Sequence, residues 1–116
     1  MRCSVNILMH PVPKARPRIG KNGGKNPPST KAAEEELRLL YRTKCRTHPD
    51  YVGKVRLYID VHTSSGRGDL DNYVKLVSDA LNGTAWKDDK QVVEIHARRL
   101  FDDPEGYHIE VEYVGR

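Results

Sequence analysis

Four aspartates flank a short amphipathic segment near the middle of the chain. Asp69 and Asp71 stand at its start, and Asp88 and Asp89 follow its end. Within residues 70–81 apolar side chains recur at helical spacing. The Asn-Gly pair that follows favours the end of a helix, because glycine tolerates the left-handed conformation found there. The sequence therefore predicts a helix between the two acidic pairs, and a turn that brings the second pair back toward the first.

A lysine shares the polar side of this predicted helix with two acids. Asp71, Lys75 and Asp79 are spaced four residues apart and therefore fall on one helical face. Asp69 lies just before the first turn, where backbone amides favour an anion. Carboxylate oxygens without neighbouring thiolates suit Mg²⁺ or Mn²⁺, which bind through one or two carboxylates together with water and phosphate oxygens. The lysine would then face the same phosphate.

Each of these residues also has an ordinary structural explanation. An aspartate at a helix start is a common cap, worth about 1 kcal/mol. An exposed pair between Asp71 and Lys75 would contribute roughly 0.3 to 0.5 kcal/mol. Taken singly, each acid fits a structural role. The combination of D-x-D-N, a lysine one turn later and W-x-D-D beyond the helix favours chemistry.

A family resemblance rests on these same motifs. The string DLDNYVKLVSDALNG, followed by WKDDKQVV, closely resembles the signature of RusA-type Holliday junction resolvases. These are small homodimeric Mg²⁺-dependent endodeoxyribonucleases of bacteria and their prophages. The resemblance implies that Asp69, Asp71 and Asp89 are catalytic carboxylates that bind the metal, and that Lys75 is the essential lysine. Asp88 matches an acid that flanks the third carboxylate.

The elements that must position these residues follow from periodicity. Alternating apolar residues predict four strands, and 3.6-residue periodicity predicts two helices, in the order βαβαββ. Because each strand has one apolar face, we expect a single α/β (α+β) domain over residues 1–116, with helices packed on one face of a mixed four-stranded sheet. The predicted strands cover residues 3–9, 54–62, 93–98 and 107–113, and the predicted helices cover residues 29–47 and 70–81.

A basic loop rich in proline and glycine spans about residues 11–28. It holds five of the chain's seven prolines and three of its nine glycines, so no regular helix or strand fits there. Residues 1–31 carry seven basic side chains and no acidic one, while the whole chain has a net charge of +4. This cluster fits DNA, although a solvated loop has the same composition. The predicted DNA contacts are Lys14, Arg16, Arg18, Lys21, Lys25 and, just before the acidic helix, Arg67.

Composition argues against several other kinds of site. Cys3 and Cys45 lack C-x-x-C spacing, so neither a zinc site nor a disulfide framework is indicated, and both are expected to be reduced. The five histidines show no metal-ligand spacing. Trp86 is interpreted as a core anchor rather than a platform for stacking bases. Since no apolar run approaches a membrane span, a cytoplasmic protein without a membrane partner is expected. The resemblance implies a bacterial or phage origin.

The leading functional hypothesis is hydrolysis of a DNA phosphodiester assisted by Mg²⁺, with Lys75 balancing charge in the transition state. Paired cutting of four-way junctions in DNA recombination and repair is implied by the resemblance, and a two-fold homodimer would present two equivalent sites to a junction. The alternatives are a noncatalytic DNA-binding module and a nuclease that acts on flaps or forks. A D-x-D phosphatase or sugar transferase would need a further region, for which 116 residues leave no room.

Overall fold

The computed structural model describes residues 1–14, 28–64 and 68–115. The predicted order of elements, βαβαββ, is confirmed. Within the described ranges, no helix is long and apolar enough to cross a membrane. The elements are β1 (Arg2–Leu8), α1 (Pro28–Lys44), β2 (Lys54–His62), α2 (Leu70–Leu81), a 3₁₀ turn (Asp89–Gln91), β3 (Val92–Leu100) and β4 (Gly106–Gly115).

The four strands form one mixed sheet in the order β1-β4-β2-β3. β4 pairs antiparallel with both β1 and β2, and β2 pairs parallel with β3. The parallel pair needs a crossover connection, and α2 supplies it. β3 stands last in the sheet order and is therefore an edge strand. Asp71 lies within α2 and Asp69 directly before it, while Asp88 and Asp89 lie between α2 and β3.

The core lies between the sheet and the two helices. Every second residue of β2 is buried, as the alternation predicts: Val55, Leu57, Ile59 and Val61. Helix α2 buries five residues in the same core: Tyr73, Leu76, Val77, Ala80 and Leu81. Trp86 is fully buried just after α2, which confirms its interpretation as a core anchor. Burial of this apolar face fixes which side of α2 points away from the sheet.

The opposite face of the sheet carries polar side chains. One row crosses all four strands: Arg2 bonds Glu112 at 3.0 Å, Glu112 accepts from Arg56 at 3.2 Å, and Arg56 also pairs with Glu94. Its hydrogen bonds to Arg2 and Arg56 lower the pKa of the Glu112 carboxyl below its usual value. Exposed pairs of this kind contribute little to stability one by one, so the helix-covered face holds the fold together.

The two cysteines do not remain apart. Cys3 of β1 and Cys45, one residue beyond α1, have Cα atoms 6.2 Å apart and are joined by a disulfide bond. The expectation of two reduced packing residues is therefore wrong for this structure. The two residues are 42 apart in the sequence, so their contact could not be predicted from spacing. It arises because α1 packs beside β1.

Candidate active site

Helix α2 begins immediately after Asp69. The Asp69 carbonyl oxygen accepts hydrogen bonds from the backbone N–H groups of Asn72 and Tyr73, at 3.0 Å and 3.3 Å. Its carboxylate makes no side-chain cap hydrogen bond, and the residue is exposed. An aspartate at this position normally caps the helix with its side chain. Here the ordinary structural use of the residue does not account for its carboxylate.

Arg99, near the end of β3, fixes the backbone just before Asp69. Its Nη1 donates to the carbonyl oxygen of Gly68, and its Nε donates to Thr63 Oγ1 at 3.3 Å. The guanidinium lies 5.1 Å from the ring centres of both Tyr73 and Phe101. Sequence reasoning missed Arg99, because it lies 31 residues beyond Gly68 and belongs to no motif.

An open groove of about 290 Å³ brings three of the four predicted catalytic residues together. Asp71 and Lys75 enter it from the first turns of α2, and Asp89 enters it from the 3₁₀ turn before β3. The remaining lining residues are Val74, Ser78, Val92 and Ile95. Asp69 does not line this groove. The turn predicted after α2 thus brings Asp89 back beside the helix that carries Asp71.

Lys75 belongs to an ion-pair network that joins three parts of the chain. Its Nζ lies 3.1 Å from Asp79 Oδ1, and Lys14 Nζ lies 2.9 Å from the other oxygen of Asp79. Lys14 also contacts Glu34 Oε1 of α1 at 2.6 Å. Burial opposes the ammonium form of Lys14, but hydrogen bonds to both carboxylates raise its pKa above the usual value. Asp79 is therefore held from one side and holds Lys75 on the other.

Among the predicted DNA contacts, only Lys14 lies in the described part of the chain. Its side chain is 13% exposed, and its backbone N–H donates to the Asn72 carbonyl oxygen at 2.9 Å. These contacts give Lys14 a role in fastening the start of the basic loop to α2. The other five predicted contacts, Arg16, Arg18, Lys21, Lys25 and Arg67, lie outside the described residues.

The two acids of W-x-D-D have different partners. Asp88 Oδ1 accepts from the backbone N–H of Lys90 at 3.0 Å, and the Asp88 backbone N–H donates to Gln91 Oε1 at 2.7 Å. This reciprocal capping box starts the 3₁₀ turn. Asp89 Oδ1 instead accepts from the indole N–H of Trp86 at 2.9 Å. Asp88 is thus a cap, whereas Asp89 lines the groove.

The donor set of the groove is compatible with a hard divalent cation. Asp71 and Asp89 supply carboxylate oxygens, and no cysteine or histidine lines the groove. No group of three or more His, Cys, Asp or Glu side chains with metal-binding placement occurs within residues 1–14, 28–64 and 68–115. Mg²⁺ is usually held by one or two carboxylates, waters and substrate phosphates rather than by a complete protein cage. Asp71 and Asp89 meet that requirement.

Comparison with known proteins gives a family match over most of the chain. Residues 9–112 match the family described as Endodeoxyribonuclease RusA. A segment of 35 residues is 49% identical to the uncharacterized protein YqaN of Bacillus subtilis (strain 168). That segment is 30% of this chain and only 25% of the relative's length. The match over residues 9–112 includes both helices, all of the groove and most of the sheet.

Proposed function

Because the chain belongs to the RusA family of endodeoxyribonucleases, we propose that it resolves four-way DNA junctions by Mg²⁺-dependent phosphodiester hydrolysis. The observation that carries this proposal is the groove shared by Asp71, Lys75 and Asp89. Two anions and one cation lining a single open groove form an arrangement suited to an anionic substrate only when a metal ion is present. A purely structural set of caps and ion pairs would not need to meet there.

The side chains divide into a metal-binding set and a phosphate-facing cation. Asp71 and Asp89 would hold Mg²⁺ from the two walls of the groove, with Asp69 as the third carboxylate. Bound there, Mg²⁺ would neutralise charge on the phosphate and lower the pKa of a coordinated water. Lys75 would face the same phosphate and stabilise the negative charge that develops in the transition state. Asp79, through its contact with Lys75 Nζ, limits where that ammonium can lie.

The basic loop would supply affinity for the substrate. Arg16, Arg18, Lys21, Lys25 and Arg67 would contact phosphates, which orient the DNA without reading its sequence. Lys14 is already paired with Glu34 and Asp79, so we assign it to anchoring the loop rather than to DNA. A homodimer would place two copies of the groove against two strands of a near-symmetric junction, giving paired cuts.

A cleavage assay tests this proposal directly. Synthetic four-way junctions and matched linear duplexes are incubated with the protein, with and without Mg²⁺, alongside flap and fork substrates. We expect cutting of the junction that requires the ion. Asp71→Asn should lower the cleavage rate by roughly 100-fold or more, because it removes charge at the reacting centre, while junction binding in a gel-shift assay is retained.

Glu36→Gln is the matched control, since it removes one negative charge from an exposed position on α1 that does not line the groove. This variant should cut at the wild-type rate. Equal cutting of junction and duplex would exclude junction selectivity, and preferred cutting of flaps or forks would identify a different branched substrate. Binding without any cutting by the wild type would favour the noncatalytic module.

A further inference from the structure

Trp86 is the single tryptophan of the chain, and its indole N–H donates to Asp89 Oδ1 at 2.9 Å. We propose that Trp86 is a positioning residue, which orients the Asp89 carboxylate toward the groove for a divalent cation. This inference rests on the proposed function, because it assigns a purpose to the carboxylate at the metal site. It also accounts for the three-residue spacing between the tryptophan and the second acid of W-x-D-D.

The donor end of this hydrogen bond is fixed by the core. Trp86 is fully buried, so the indole cannot rotate without disturbing close-packed neighbours. The backbone beside it is fastened as well: Tyr113 Oη donates to the Ala85 carbonyl oxygen at 2.6 Å, and the Ala85 N–H donates to the Leu81 carbonyl oxygen at 2.9 Å. The indole N–H therefore points in one direction, toward Asp89.

The acceptor end is fixed by the 3₁₀ turn. Gln91 closes the capping box with Asp88, and its Nε2 also donates to the carbonyl oxygens of Tyr51 and Gly53, at 2.6 Å and 2.8 Å. The backbone of Asp89 is thereby tied to the segment before β2. With the backbone fixed and Oδ1 engaged by the indole, the plane of the carboxylate is defined. Oδ1 receives a charge-assisted hydrogen bond, and the carboxylate keeps a second oxygen for a ligand.

A tryptophan that serves only to fill the core would not require this geometry. A buried indole N–H needs an acceptor, but a neutral backbone carbonyl is sufficient. Here the acceptor is a carboxylate that lines the same groove as Lys75. Partners that orient metal-binding side chains in this way change metal affinity by roughly 10- to 100-fold when they are removed. The hydrogen bond therefore has a measurable consequence beyond packing.

The test uses Trp86→Phe, which keeps an aromatic ring in the core and removes the N–H donor. Calorimetric titration with Mn²⁺ should show affinity roughly 10-fold weaker than wild type. Junction cleavage should show a lower kcat with little change in KM for DNA. Tyr107→Phe is the matched control, since it removes a buried hydroxyl from β4, away from the groove, and leaves both the indole donor and the Tyr113 contact in place. That variant should bind Mn²⁺ as the wild type does.

A second measurement uses the wild-type protein and does not require that Trp86→Phe folds. Because Trp86 is the one tryptophan, titrating wild-type protein with Mg²⁺ should change its fluorescence at the ion concentrations that support cleavage, and Asp89→Asn should abolish that change. Wild-type Mn²⁺ affinity in Trp86→Phe, or fluorescence that stays constant while calorimetry records binding, would overturn the inference alone. Wild-type protein that neither binds Mn²⁺ nor cuts DNA would overturn the proposed function itself.

Discussion

Lys75 has a carboxylate one helical turn away on each side, Asp71 before it and Asp79 after it. The structure pairs its ammonium with Asp79 at 3.1 Å, although this side chain of Lys75 is 61% exposed. An exposed pair of that type stabilises a helix by only a few tenths of a kcal/mol. What distinguishes Asp79 is its second partner, the largely buried Lys14. Asp79 thus has a fixed position from which to hold Lys75.

Asp79→Asn should therefore affect both stability and cleavage. The substitution removes the negative charge between two ammonium groups, so we expect a loss of about 1.5 to 3 kcal/mol in unfolding free energy. Because the Lys75 ammonium loses its fixed position, we also expect kcat to fall by up to roughly 100-fold. Glu34→Gln is the comparison, because it weakens the contact with Lys14 without touching Lys75. Chemical denaturation and single-turnover cleavage measure the two effects. A kcat reduced equally in both variants would show that Asp79 has no separate effect on Lys75.

Residue spacing predicted some of this arrangement and concealed the rest. The four-residue intervals placed Asp71, Lys75 and Asp79 on one face of a helix, as the structure confirms. Packing of α1 against α2 brings Glu34 to that face, and a backbone hydrogen bond to Asn72 brings Lys14 there. No local sequence pattern records either contact. The Trp86 to Asp89 hydrogen bond was hidden for another reason. The sequence indicates that a tryptophan in this turn is buried in the core, but it does not indicate which group accepts its indole N–H.

At the level of elements, two glycines with positive φ angles shape the turns around the site and the sheet. Gly83, at φ +78°, follows α2 and begins the return toward Asp89, and a Cβ atom there would meet nothing within 4 Å. Gly106, at φ +156°, begins β4, where a Cβ atom would come within 2.2 Å of the Ile7 carbonyl oxygen. The first position needs conformational freedom alone, and the second also needs space.

Substitution by alanine should separate these two requirements. Gly83→Ala should cost about 1 to 2 kcal/mol, the strain of an alanine in the left-handed region. Gly106→Ala should cost more, about 2 to 4 kcal/mol, because the backbone of β1 must also move to relieve the overlap. Urea denaturation of both variants measures the difference. Equal losses would mean that β1 and β4 separate more easily than their paired backbones imply.

The sequence predicted which segments are helices and strands, but it did not predict which strands are adjacent in the sheet. The alternation in β2 and β4 correctly identified their buried faces. β3 shows a similar alternation, yet Val93 and Ile95 are 52% and 47% exposed. A register shift in the pairing with β2 skips Val93, which leaves it without a partner, and Ile95 lines the open groove instead of the covered core. The periodicity of a strand does not predict how that strand pairs with others in the sheet, because the pairing depends on residues far apart in the sequence.

For the molecule as a whole, the sheet separates two kinds of surface. One face is covered by both helices and holds the apolar core, while the other carries rows of paired charges such as Arg98 with Asp60 at 2.9 Å. Hydrogen bonding to Arg98 lowers the pKa of the Asp60 carboxyl. The groove with Asp71 and Asp89 lies beside α2, at the boundary set by edge strand β3. The proposed catalytic groove thus lies where the helical layer ends.

The disulfide between Cys3 and Cys45 acts at this same scale, because it joins the edge strand β1 to the end of α1. Closing a loop between residues 42 apart restricts the unfolded chain, so the bond should contribute about 2 to 4 kcal/mol. Thermal melts with and without a thiol reductant should differ by several degrees. The double substitution Cys3→Ser with Cys45→Ser should melt at a temperature that reductant does not change. If the wild type is equally insensitive and mass spectrometry finds two free thiols, the cysteines pack side by side unbonded, and the burial of α1 against the sheet alone holds that corner of the fold.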